Sequence, residues 1–303
     1  MIDSPFMKKE YPFESHFLQM NLLQYHYLDE GQGDPLVMLH GNPSWSFYYR
    51  DLVKELRDDY RVIVPDHIGC GLSDKPTDSR YSFTLKQRVD DLEALLNALD
   101  VKANITLVVH DWGGMIGMAF ATRYPERIAR LVILNTAAFH LPKSKTFPAA
   151  LRICRDTQLG TFLVQGFNLF ARGAAFVGCK RKTMKVELRK AYCAPYDSWQ
   201  SRVATLRFVQ DIPLKEGDSG YDIVSQVDEN LQQFVDLPTC ICWGEKDFVF
   251  DLHFLNEWKQ RLPKAQVHSF TDCGHYILED AKEDVIPIIR SFLADNPLPG
   301  QAS

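Results

Sequence analysis

Short apolar runs alternating with longer helical patterns predict an α/β fold: a doubly wound, mostly parallel sheet with an inserted helical cap. Three observations carry this. Short continuous runs, most of them rich in Val, Ile and Leu, suit strands of a parallel sheet covered on both faces. Segments with apolar residues every three or four positions separate them, and strand–helix–strand order builds an open sheet with right-handed crossovers. Residues 137–213 break the rhythm, with aromatic and apolar residues at helical spacing and no clear strand. The expected division is a core of residues 1–136 and 214–303, with residues 137–213 inserted as a lid.

Taken in order, the strands are expected at 36–39, 61–64, 105–109, 131–134, 239–243 and 266–270. Thr84 is a candidate helix cap with Gln87 three residues on, the spacing of a capping box. Leu85, Val89, Leu92, Leu96 and Leu99 then share one helical face. A second helix is expected over 113–124, directly after a strand and stopped by Pro125.

Composition narrows the function. The chain has 303 residues and a net charge of −5, without the cationic excess of a general nucleic-acid binder. Apolar residues at 46% suffice for a full core. No run approaches the roughly 18 apolar residues of a membrane span, and residues 1–10 are polar, unlike a secretion signal. The seven cysteines lack zinc-ribbon or thioredoxin spacing and read as reduced thiols of a cytoplasmic protein. Cys240 and Cys242 fall on one face of a strand, too sparse a pair for zinc. Nothing has the pattern of a metalloprotease helix, a P-loop or a dinucleotide fingerprint, so no metal or organic cofactor is expected. Charge is uneven. Residues 141–190 carry eleven Lys and Arg against Asp156 and Glu187, an excess of nine, leaving −14 elsewhere. That segment is either a solvated face or a docking surface.

The chemistry centres on Val109, His110, Asp111, Trp112, Gly113 and Gly114. A small-residue turn between strand and helix is the place of the nucleophile elbow in an α/β-hydrolase fold. Here the exposed side chain is a carboxylate, which displaces a leaving group from saturated carbon and becomes an ester. The ester then needs a base. Asp272, Cys273, Gly274 and His275 follow one late strand, and Trp243 to Asp247 follow another. The order Asp111, Asp247, His275 is the nucleophile–acid–histidine order of that fold. Glu245 is a rival acid. After the first buried strand come His40, Gly41, Asn42 and Pro43. Backbone N–H groups of Asn42 and Trp112 are expected to form the oxyanion hole. Their side chains add two neutral donors for a leaving anion. The plain alternatives are a turn residue at 42 and a core indole at 112.

The set HGNP, then VPDHIGCGLSDKP at 64–76, then VHDWGG resembles the haloalkane dehalogenases. One branch of that family carries its acid where this chain has Asn135, which points again to Asp247. Asn42 as the second donor resembles a third branch, which also holds the β-lactone decarboxylases of bacterial long-chain olefin biosynthesis. The likeness to those enzymes continues through Asn135–Phe139, Pro195–Trp199, Arg207 and Phe208, Gln210–Pro213 and Asp247–Asp251. It spans nearly the whole chain. The resemblance implies a small apolar substrate, a cis-β-lactone with two long alkyl chains, giving a cis-alkene and CO₂. The alternative it leaves open is hydrolytic dehalogenation by the same residues, and more remotely epoxide hydrolysis, for which Tyr192 and Tyr196 could polarise the oxygen. Two long chains need an apolar cleft, and Phe139, Phe147, Phe162, Phe167, Phe170 and Phe208 are candidate walls. Cys70, Cys193 and Cys273 are expected only to pack. The basic segment 141–190 would dock on another enzyme of the pathway.

Overall fold

The computed structural model describes residues 4–298, so the outermost ends of the expected core, and the first residues of the polar start, lie outside the described residues. Eight strands form one sheet: β1 (His16–Met20), β2 (Leu23–Glu30), β3 (Pro35–Leu39), β4 (Arg61–Pro65), β5 (Ile105–Asp111), β6 (Ile128–Thr136), β7 (Thr239–Gly244) and β8 (Gln266–Phe270). Their order is β1-β2-β4-β3-β5-β6-β7-β8. From β4 to β8 every pairing is parallel, while β1–β2 and β2–β4 are antiparallel.

All six expected strands are present. The sequence reading missed β1 and β2. Side chains along β1 alternate between half-buried and exposed, so this edge hairpin lacks the continuous apolar run that marks a covered strand. It also placed the ends of β5 and β6 too early. Both strands run on to polar residues, Asp111 and Thr136, at the end where the site is built.

Alternate side chains enter two separate cores. Val37, Leu39, Ile63, Leu107, Val109 and Ile133 face one. Met38, Val62, Val64, Val108, Val132 and Leu134 face the other. The helices that cover these faces are α1 (Arg50–Leu56), α2 (Leu85–Ala98), α3 (Trp112–Arg123), α8 (Leu252–Arg261) and α9 (Lys282–Asp295). Thr84 caps α2 by accepting from the Gln87 N–H (3.3 Å). Only half of the expected box forms, because the Gln87 amide donates instead to Asp91 (2.9 Å).

Residues 137–213 hold α4 (Ala149–Asp156), α5 (Leu169–Val177), α6 (Val186–Cys193) and α7 (Val203–Gln210), with no strand among them. This stretch rests on the loop after β3. Tyr196 Oη donates to the Ser44 carbonyl (3.2 Å) and Trp45 Nε1 to the Ala191 carbonyl (3.3 Å). Its buried residues join the two sheet cores: Phe139, Val203 and Phe208 the first, Ala175, Ala191 and Tyr192 the second. No helix among the described residues is long and apolar enough to cross a membrane.

Candidate active site

At the C-terminal end of β5 the chain turns straight into α3, and Asp111 sits at the corner with φ 51° and ψ −125°. A left-handed, non-glycine corner is uncommon and must be held by its surroundings. The Thr136 hydroxyl donates to the Asp111 carbonyl, and three glycines let the backbones close. A methyl group on Gly113 would strike the Leu39 carbonyl, and one on Gly114 the Thr136 hydroxyl. One on Gly41 would occupy the Asp111 carboxylate itself.

Asp111 is 8% exposed. Asn42 N–H donates to Asp111 Oδ1 at 2.6 Å. Burial raises the Asp111 pKa; His275 and the backbone N–H groups of Asn42 and Trp112 pull it back without cancelling the rise. His275 Nδ1 donates to Asp247 Oδ2 at 2.8 Å, and Nε2 stands 3.8 Å from Asp111 Oδ2. Burial lowers the His275 pKa, but the carboxylates of Asp247 and Asp111 more than offset this, so it lies above its ordinary value. Glu245 does not meet the imidazole: it accepts from the Ser269 hydroxyl (2.8 Å), and Asp247 holds the imidazole.

Asp247 is itself held. Val249 N–H donates to its Oδ1 (2.7 Å) and the Asn135 amide to its Oδ2 (3.0 Å). Asn135 ties the end of β6 to β7 twice more, through the Gly244 carbonyl (3.0 Å) and Gly244 N–H (2.8 Å). The sequence reading used Asn135 only to rule out an acid there and missed that it orients one. The signal was its place at a strand end beside two others.

The Asn42 and Trp112 side chains both line the cavity above Asp111. One Asn42 amide N–H goes to the Thr205 carbonyl on α7 (3.0 Å), which leaves the other for a ligand. The cavity has Asn42, Asp111, Trp112 and His275 as its polar groups together with Lys145. Lys145 is neutralised by Asp251 at 2.5 Å. The remaining lining is apolar.

A family profile described as alpha/beta hydrolase fold matches residues 34–282. A cis-3-alkyl-4-alkyloxetan-2-one decarboxylase of Shewanella oneidensis is 63% identical over 284 residues, 94% of this chain and 89% of that protein. One of the same name from Xanthomonas campestris is 49% identical, covering 90% of this chain and 93% of its own. A haloalkane dehalogenase of Psychrobacter cryohalolentis is 42% identical over 95% of both chains. This chain belongs to the haloalkane dehalogenase family of α/β-hydrolases. The fold of that family agrees: the crystal structure of the haloalkane dehalogenase DatA of Agrobacterium tumefaciens superimposes with a TM-score of 0.84 at 23% identity, over 94% of this chain and 97% of its own.

Within this haloalkane dehalogenase fold the expected pocket phenylalanines divide. Phe139, Phe147 and Phe170 line the cavity. Phe162 and Phe167 do not; they are 52% and 55% exposed and pack edge-to-face on each other, centroids 5.2 Å apart. Phe208 is buried behind Trp112 rather than open to the cavity. The reason is geometric. Helical spacing shows that a residue lies on an apolar face, and the insertion has two such faces, one toward the cavity and one outward. Leu151, Met115, Val209, Ile212, Phe250 and Phe254 are wall residues the sequence reading missed. The tyrosines considered for epoxide chemistry are engaged elsewhere: Tyr192 Oη donates to Glu279 (2.7 Å) and Tyr196 Oη to Ser44. Neither lines the cavity. Burial pushes the Cys70 thiol up to about 11 and that of Cys273 up to about 12, so both stay protonated at neutral pH.

Proposed function

We propose that this enzyme is a cis-β-lactone decarboxylase that converts 3,4-dialkyl-oxetan-2-ones to cis-alkenes and CO₂. The observation that carries the reading is the 63% identity to the Shewanella enzyme over 94% of the chain. That coverage leaves too few residues out to omit the insertion, which walls the cavity. Asp111 is the nucleophile, His275 assists release of the carboxylated species, and Asp247 is the group that fixes the imidazole. Backbone N–H groups of Asn42 and Trp112 form the oxyanion hole, and their side chains receive the departing anion.

Attack of Asp111 on the oxygen-bearing ring carbon breaks the C–O bond. It leaves an ester on Asp111 and a free carboxylate on the neighbouring carbon. Loss of CO₂ then supplies the electron pair of the new C=C bond and expels Asp111 as carboxylate. Inversion at the attacked carbon followed by anti elimination gives the cis-alkene. Residues 137–213 act as the cap, whose α4, α5 and α7 supply Leu151, Phe170 and Val209 to the alkyl chains. The second reading is haloalkane hydrolysis, favoured by the two neutral side-chain donors. In that reaction Asn42 and Trp112 hold the halide and His275 activates the water that cleaves the ester.

The paired test is turnover of a long-chain cis-β-lactone and of 1-bromobutane by one preparation, with Asp111→Ala as control. Alkene far in excess of bromide establishes the decarboxylase; bromide far in excess of alkene establishes the dehalogenase and removes the preferred reading. The reading includes a cytoplasmic place, on the reduced cysteines. It also includes docking to another pathway enzyme through residues 141–190. Lys145, Arg155, Arg181 and Lys182 of that segment pair with core acids, so docking would use others, such as Arg172, Arg189 and Lys190. Reversing those three charges should abolish co-purification; co-purification that persists removes the electrostatic contact.

A further inference from the structure

Helix α7 touches both groups assigned to the leaving anion. The Thr205 carbonyl accepts from the Asn42 amide at 3.0 Å. The Phe208 ring meets the Trp112 indole edge-on, centroids 5.3 Å apart. The direction of both donors therefore follows the rotation and depth of this one helix.

That helix is pinned from the core side by Arg88. The side chain projects from α2 and is 1% exposed. Its Nη1 donates to Asp211 Oδ2 at 2.8 Å, and Asp211 is the residue at which α7 ends. The same guanidinium lies 3.7 Å over the Phe208 ring and 5.5 Å from the Trp112 ring centroid. Arg88 Nε and Nη2 have no hydrogen-bond partner. A buried guanidinium with two idle nitrogens is a poor choice for packing alone, since an apolar side chain of that volume avoids the desolvation. What the cation does here is geometric. It fastens the C-terminal end of α7 through Asp211, and it holds Phe208 by its face, so that the edge of the ring meets Trp112. Neither Arg88 nor Asp211 lines the cavity.

We propose that Arg88 is a positioning residue for the leaving-group site: anchored on Asp211, it sets α7 so that the Trp112 indole N–H and the second Asn42 amide N–H converge above Asp111. The proposal rests on the roles given above to Asn42 and Trp112. Its reach is catalytic because small displacements of reacting or donating groups cost rate steeply.

The test uses Arg88→Met, Arg88→Lys and the double variant Arg88→Met with Asp211→Asn. The double variant removes both charges together, so it folds even if a lone buried Asp211 carboxylate prevents Arg88→Met from doing so. Three readouts are taken: thermal unfolding, kcat and KM on the β-lactone and on 1-bromobutane, and iodide quenching of Trp112 fluorescence. The Trp112 signal is the difference between each protein and its Trp112→Phe partner, with neutral acrylamide as the control quencher. The expected result is a double variant folded at the assay temperature, with kcat lower by about tenfold or more and KM within about twofold. Its preferential quenching by iodide is lost, and Arg88→Lys recovers part of both. A folded double variant with unchanged kcat and unchanged iodide quenching overturns the proposal and leaves Arg88 a packing residue. If the parent enzyme turns over neither substrate, the functional reading fails while iodide quenching still decides the role of Arg88. If iodide does not quench Trp112 even in the parent, the leaving-anion site and this proposal fall together.

Discussion

Asp111 is strained in backbone, nearly buried, and still aimed at a cavity, and each of these properties has its own cause. The corner comes from the β5–α3 turn, the burial from its place at the end of the fully buried β5, and the aim from Asn42 N–H and Thr136. Replacing Asp111 by Ala should lower turnover of either substrate by at least about 10³-fold without moving the unfolding temperature downward, measured by product formation and thermal melts. His275→Gln should halt bromoalkane turnover after the first step and leave an alkyl ester on Asp111, read as a mass increase on the intact protein. The pH dependence follows from the raised His275 pKa. Hydrolysis of the ester needs neutral Nε2, and Asp247 favours the imidazolium, so kcat for bromoalkanes should fall on the acid side as His275 is protonated. Asp247→Asn removes the main cause of the rise and should move that limb to lower pH. A raised folded-state value also means that this histidine stabilises the fold fully below 6.5, and that the contribution fades as pH climbs through the raised value. Stability that increases across that window in the parent but not in His275→Gln would contradict the assignment.

Element by element, the site depends on close approach of backbones at one end of the sheet. Gly113 and Gly114 were legible as a small-residue turn and Gly41 as part of the stretch after the first buried strand, but which atom each makes room for was not. Gly41→Ala should fold and lose activity, because the new methyl occupies the position of the Asp111 carboxylate. Gly113→Ala should instead cost about 1–3 kcal/mol of stability, since α3 must back away from β3. Chemical denaturation and kinetics on the two variants separate these outcomes. The strand ends show the same limit. Polar Asp111 and Thr136 look like loop residues in a pattern of apolar runs. They are strand residues because neighbouring parallel strands hydrogen-bond their backbones whatever the side chains carry.

At the scale of the molecule, the cavity exists because 137–213 spans from β6 back over the sheet and shares both of its cores. Two walls meet there. One is built from Phe250 and Phe254, which follow β7, the other from Phe139 and from Leu151, Phe170 and Val209 of the 137–213 stretch. Their mostly apolar character suits alkyl chains. Leu151→Trp should narrow it and depress kcat/KM for a long-chain cis-β-lactone several-fold more than for a short-chain one. Equal losses on both would place Leu151 outside the chain-binding wall.

The amino-acid sequence by itself determined the six buried parallel strands, the carboxylate at the elbow and the positions of Asp247 and His275. Local chemistry writes those features: apolar runs, small residues at a tight turn, and titratable residues after strands. Only the tertiary structure decided that Asp247 and not Glu245 meets the imidazole, and that Asn135 holds Asp247. It also turned Phe162 and Phe167 outward while Phe139, Phe147 and Phe170 face the cavity. Each of these depends on the register between chain segments far apart in sequence, which a one-dimensional pattern does not contain.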